Sequence, residues 1–201
     1  MTTSPASDVD QLGPAFLPAD RLEDLELGGD AKELAKNAET AEALLDTLAS
    51  RQLVADAVAL LSQTLPIRRA VWWGCLAAWH PEIERPPQGA NAVALRAALA
   101  WVKHPTGPNR LAAERCAQKV DPASAIGACV KAASLAGHCE GDDEPFAPLE
   151  IRLTARLIEA AVLLAFERAS TRGTETGAME LIEMGRQVRD GALTWNVDDA
   201  S

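Results

Sequence analysis

RRAVWWGCLAAWH, residues 68–80, gathers three of the chain's five tryptophans, one of its four cysteines and one of its three histidines. Such a stretch is either a site or a core. On a helical wheel at about 100° per residue, Trp72, Leu76 and Trp79 fall within roughly 60° of one another and form a bulky stripe. Ala70, Val71, Gly74 and Ala78 lie opposite, small enough for a neighbouring backbone to approach closely. A helix apolar around nearly its whole circumference is a buried one. Val71, Trp72, Trp73, Gly74, Cys75, Leu76 and Trp79 are therefore assigned to the core, with Trp101 from a later helix. Arg68 and Arg69 open the helix, where cations oppose its dipole. They are expected to reach a carboxylate, such as one on the acidic N-terminal arm, or a protein partner.

The competing metal or cofactor reading fails on spacing. Of His80, His104, His138 and the cysteines Cys75, Cys116, Cys129 and Cys139, only His138 and Cys139 are neighbours, and adjacent residues rarely converge on one zinc. No cofactor and no metal is expected. A cysteine nucleophile needs a base and an orienting group, and nothing local supplies either. GxSxG, a Gly-rich phosphate loop and HExxH do not occur. The carboxylates of EGDDE, residues 140–144, read as a solvated loop.

Outward from the tryptophan stretch, the pattern is helix after helix. TAEALLDTLASR has Ala43, Leu44 and Leu48 on one face with Thr40 as N-cap. LVADAVALLSQTL follows and breaks at Pro66. Beyond the three prolines of HPEIERPPQG come NAVALRAALAWVK, then NRLAAERCAQKV from Asn109. DPASAIGACVKAASLAG opens on Asp121 as cap with Pro122 in the first turn, and closes at Gly137. EIRLTARLIEAAVLLAFERAS places Leu153, Leu157, Val162 and Leu164 inside, and a last helix covers AMELIEMGRQVRD. Tyr is absent and Phe occurs three times, so strand formers are scarce. The fold class is all-α: an antiparallel multi-helix bundle or a short helical array of seven or more helices.

Charge divides the chain. Residues 1–50 hold eleven acids against three bases, so nearly all of the net charge of −10 sits there. Residues 51–139 carry ten bases against five acids. Pro5, Pro14, Pro18 and paired glycines mark residues 1–36 as an irregular acidic arm, 37–194 as a single helical domain and 195–201 as a tail. Within the arm, Phe16, Leu17, Leu22 and Leu25 have the spacing of a short docking helix, and with Arg68 and Arg69 they are the candidate protein-binding residues. An acidic arm argues against nucleic acid as its partner. No apolar run approaches the roughly 18 residues of a membrane span, and the N-terminus lacks an export signal. With no CxxC or stapled spacing among the cysteines, a cytoplasmic protein with reduced thiols is expected.

The run LPIRRAVWWGCLAAW, with AVALRAALAWV and LTARLIEAAVLLA after it, resembles an uncharacterised bacterial all-helical family of similar length with a VWW-small-Cys core motif. The resemblance covers residues 40–190 and rests on Val71, Trp72, Trp73, Gly74 and Cys75; EGDDEPFAP stands where the family has a Pro-rich segment. It implies no catalytic residues. It implies an association with type VI secretion gene clusters, where small acidic proteins act as adaptors or co-chaperones for effectors. The expectation is a non-enzymatic interaction protein whose partner is a secreted effector or its adaptor. The alternatives are an immunity protein that blocks a basic toxin and an enzyme whose site is assembled from distant residues. Gene neighbourhood discriminates among them.

Overall fold

Alanine and leucine runs punctuated by proline and glycine give a chain in which every regular element described is a helix. The structure is a computed structural model, and it describes residues 25–80, 86–136, 148–171 and 177–195. Among these residues there are nine helices and no strand: α1 (Gly29–Lys36), α2 (Ala41–Ser50), α3 (Val54–Thr64), α4 (Ile67–Trp79), α5 (Gly89–Lys103), α6 (Gly107–Ala117), α7 (Ala125–Leu135), α8 (Pro148–Thr171) and α9 (Ala178–Arg189). Local chemistry sets several boundaries. Thr40 caps α2, its hydroxyl accepting from the Ala43 N–H at 3.1 Å. Pro66, which has no N–H to give, stands at the N-cap of α4. The cap of α7 is Ser124 rather than Asp121, because Asp121 and Pro122 are used one turn earlier. There the Asp121 carboxylate accepts from Ala123 N, and its carbonyl from Ser124 N.

The tryptophan helix α4 lies at the centre, packed on α5, α7, α8 and α9. Its close approaches are made by the small side of the wheel. A Cβ added to Gly74 would stand 2.8 Å from Ile158 Cδ1 of α8 and 3.4 Å from Cys129 Sγ of α7. Trp73 is fully buried and donates from Nε1 to the Leu181 carbonyl of α9 at 2.9 Å, while Gly185 leaves room for its ring. Trp101, Leu95, Leu60, Leu61 and Ile158 complete the interior.

Two boundaries and one core assignment differ from the sequence reading. The arm is not irregular to residue 36: Leu25 and Leu27 are buried, and α1 buries Ala31 and Ala35. The Gly28 N–H donates to Asp56 of α3 at 2.6 Å, which ties this strap to the body. At the other end, Trp195 belongs to the domain rather than to a tail. Its ring meets that of Trp72 edge-on at 6.3 Å between centroids and lies 4.3 Å from the Arg68 guanidinium. Trp79, assigned to the core, is 43% exposed. It ends the stripe of Trp72 and Leu76, which are half-buried, Trp72 being covered in part by Leu193 and Trp195.

Candidate protein-binding surface

The two arginines singled out for a partner are engaged inside the molecule. Arg68 is buried and donates from Nε to the Val102 carbonyl at 2.6 Å and from Nη2 to the Lys103 carbonyl at 3.0 Å. Arg69 donates to the Arg189 carbonyl at 2.6 Å. Neither reaches a carboxylate in these contacts. The first turn of α4 instead sends one cation to the C-terminus of α5 and the other to that of α9, where unsatisfied carbonyls and the negative end of the dipole favour it. Asn109 completes the cap of α5 through the Ala100 and His104 carbonyls. The placement of Arg68 and Arg69 at the start of α4 thus costs little, since their charge is used on neighbouring helices.

Of the apolar arm candidates, Leu25 is buried against the body and is closed to a partner. Phe16, Leu17 and Leu22 lie outside the described residues, as do His138, Cys139 and the acidic run 140–144. Among the described residues no three His, Cys, Asp or Glu side chains are grouped as a metal would require. Cys75 and Cys129 meet across α4 and α7 with 3.4 Å between sulfurs, both buried. The hydrogen bond with Cys129, and then burial, hold the Cys75 thiol well above its ordinary pKa. That is the opposite of what a nucleophile requires.

An open surface lies on the first half of α8. Leu149 is 66% exposed and Leu153 44%, although Leu153 was expected inside. With Glu26, Gln63, Arg152 and Arg156 they line an open groove of about 340 Å³. Thr154, Ala155, Ile158, Ala161, Val162 and Ala165 occupy the buried side of α8, which packs on α7, α4 and α3, and Leu149 and Leu153 are left on the other side. Glu26, on the strap before α1, pairs with both Arg152 (2.8 Å) and Arg156, and Arg156 also pairs with Glu159 at 2.7 Å. The groove therefore presents apolar side chains between arginines whose charge is already balanced. The i, i+4 pair Leu149 and Leu153, set beside Arg152 and Arg156, was the sequence signal for this face.

Further ion pairs join α2 to α9. Glu42 and Asp46 of α2 bind Arg186 of α9, and Glu42 also binds Arg189, which in turn holds Asp190 at 2.8 Å. Among the described residues no helix is long and apolar enough to cross a membrane. No curated protein and no solved structure is significantly similar to the chain. Residues 44–189, running from within α2 to the end of α9, match the model of a family of unknown function, DUF6931, and the chain belongs to that family.

Proposed function

We propose that this protein is a non-enzymatic interaction module, an adaptor or co-chaperone for a type VI secretion effector. The observation that carries the reading is the α8 groove, where Leu149 and Leu153 stand in water beside arginines neutralised by Glu26. Exposed leucines rimmed by fixed polar groups are the composition of a binding surface, with an apolar centre and a polar edge. An effector segment laid along this groove gains about 25 cal/mol for each Å² of apolar surface it covers. The secretion association comes from the VWW-small-Cys resemblance and is tested separately, by gene neighbourhood.

The experiment is co-purification from the native host of tagged wild-type protein and of a Leu149→Asp/Leu153→Asp variant, with mass spectrometry of what is retained. A secretion effector or its adaptor should accompany the wild type and be lost from the variant, whose helical content should be unchanged. Equal capture by both would remove the groove from the reading, and recovery of a metabolic enzyme complex would remove the adaptor role.

A second reading is favoured by charge. Residues 1–50 hold eleven acids against three bases. An acidic segment of this kind suits an immunity protein that blocks a basic toxin. Inhibition of a neighbouring toxin's purified activity distinguishes it from an adaptor, which leaves that activity intact.

A further inference from the structure

The basic character of the middle of the sequence has a location. Residues 86–136 are described throughout and contain six cations, Arg96, Lys103, Arg110, Arg115, Lys119 and Lys131, against the two acids Glu114 and Asp121. None of the six cations makes an ion pair among the described residues, in contrast to Arg152, Arg156, Arg186 and Arg189. Their helices pack on one another, α5 on α6 and both on α7. On α5, Val93, Arg96 and Lys103 share one face by their i, i+3 and i+10 spacing. Val93 is 50% exposed and Arg96 is exposed. On α6, Leu111 (43% exposed) and Arg115 stand one turn apart, and Ala113 alone of this helix is buried. Arg110 adds a more pointed signal. Its Nε is buried yet meets no acceptor, and a guanidinium N–H that has lost water without gaining a partner is costly to leave so.

We propose that the outer face of the α5–α6 helix pair is a second docking surface, and that its occupant is an acidic segment of a partner protein carrying apolar side chains. Charge complementarity selects the acid. Val93 and Leu111 select the apolar anchors, since they offer aliphatic contact between the cations. A nucleic acid fits less well, because the face has no exposed aromatic ring on which a base could stack. This surface is independent of the α8 groove. An adaptor needs two faces, one for cargo and one for the machinery that receives it, and the two differ in kind: balanced charge around leucines at α8, unbalanced charge at α5–α6.

The test uses the full chain and a synthetic peptide with Leu and Phe set between Asp and Glu residues. The controls are the same peptide with Ser for its apolar residues, a single-stranded oligodeoxynucleotide, and phosphatidylserine vesicles. Calorimetry at low salt should show binding of the acidic apolar peptide. Binding should weaken by about tenfold or more in Arg96→Glu/Arg115→Glu, and also as salt rises. Amide shifts of the wild type on adding peptide should cluster on α5 and α6, which locates the site without any variant. The proposal is overturned by absence of binding, by equal binding to the double variant, by shifts that cluster elsewhere, or by tighter binding of the oligonucleotide or vesicles. Self-association of the protein that the double variant abolishes would assign the face to a second copy instead, and would equally overturn it. Capture of the secretion effector by the double variant as by wild type would leave the α8 reading standing.

Discussion

Arg68 and Arg69 on α4 and Arg96 and Arg115 on α5 and α6 are the same residue type in adjoining helices, with opposite fates. Arg68 is buried and Arg69 half-buried, and they donate to the last carbonyls of α5 and of α9. The second pair is exposed and makes no ion pair among the described residues. A sum of charges along the sequence treats the four alike. What separates them is what faces them: a helix C-terminus satisfies a buried guanidinium as a carboxylate would, so the first pair contributes to the fold and leaves nothing for a partner.

The largest effect should come from the platform that holds the first pair in place. Trp73 is fully buried and bonded to Leu181, so Trp73→Ala should cost about 3–5 kcal/mol and loosen α9 from α4. A purified variant with unchanged melting would break the comparison at its base. Arg68→Ala comes next. It leaves the Val102 and Lys103 carbonyls without this donor and takes away the cation over Trp195, for an expected cost of about 2–3 kcal/mol. Arg68→Lys should recover only part of that, since an ammonium cannot bridge two carbonyls with the planar fork. By contrast, Arg96→Ala and Arg115→Ala should each change stability by less than about 0.5 kcal/mol. Denaturant unfolding of the four variants measures the contrast directly, and a destabilising Arg96→Ala would erase it.

How much of this was legible beforehand depends on side-chain size. The all-helical class, the central position of the tryptophan helix and the Thr40 cap follow from periodicity and turn chemistry, which are local. The inward face was harder to read. Hydrophobicity pointed to Trp72, Leu76 and Trp79 on α4 and to Leu153 on α8, yet α4 makes a close approach through Gly74 against Ile158, and the buried side of α8 mixes Ala155, Ala161 and Ala165 with Ile158 and Val162. In an Ala-rich bundle close backbone approach decides which face turns inward, and the bulky stripe can be left outside. The groove was missed for this reason. Arg68 and Arg69 were misread because a helix end becomes an acceptor only once two distant helices meet. The burial of Leu25, Leu27 and α1 was missed because glycines and acids on the strap suggested solvent, whereas its alternate apolar residues pack on the body. Deleting residues 1–36 should therefore lower the melting temperature of the helical domain, not leave it unchanged.

A third class of cation lies between these extremes, and it gives the smallest expected effect. Arg189 holds Asp190, and the Arg189 hydrogen bond, opposed by burial and aided by the nearby charges of Arg189, Arg186 and Arg69, lowers the Asp190 pKa from its ordinary value of 3.8. A carboxyl whose folded pKa lies below its unfolded one contributes stability that is fully present above the unfolded value. That contribution is lost as pH falls through the folded value. Because Asp190 is largely open to water, screening limits the pair to a few tenths of a kcal/mol at most. Glu42 also keeps Arg189 engaged when Asp190 is removed. Asp190→Asn should thus melt slightly below wild type near neutral pH. The gap should shrink as pH falls below about 4 and close in about 0.5 M salt. Parallel melts of the two proteins across this range check it. A gap that persists in acid and in salt would mean that Asp190 acts through packing rather than charge, and Arg189 would then join Arg68 among the cations committed to the fold.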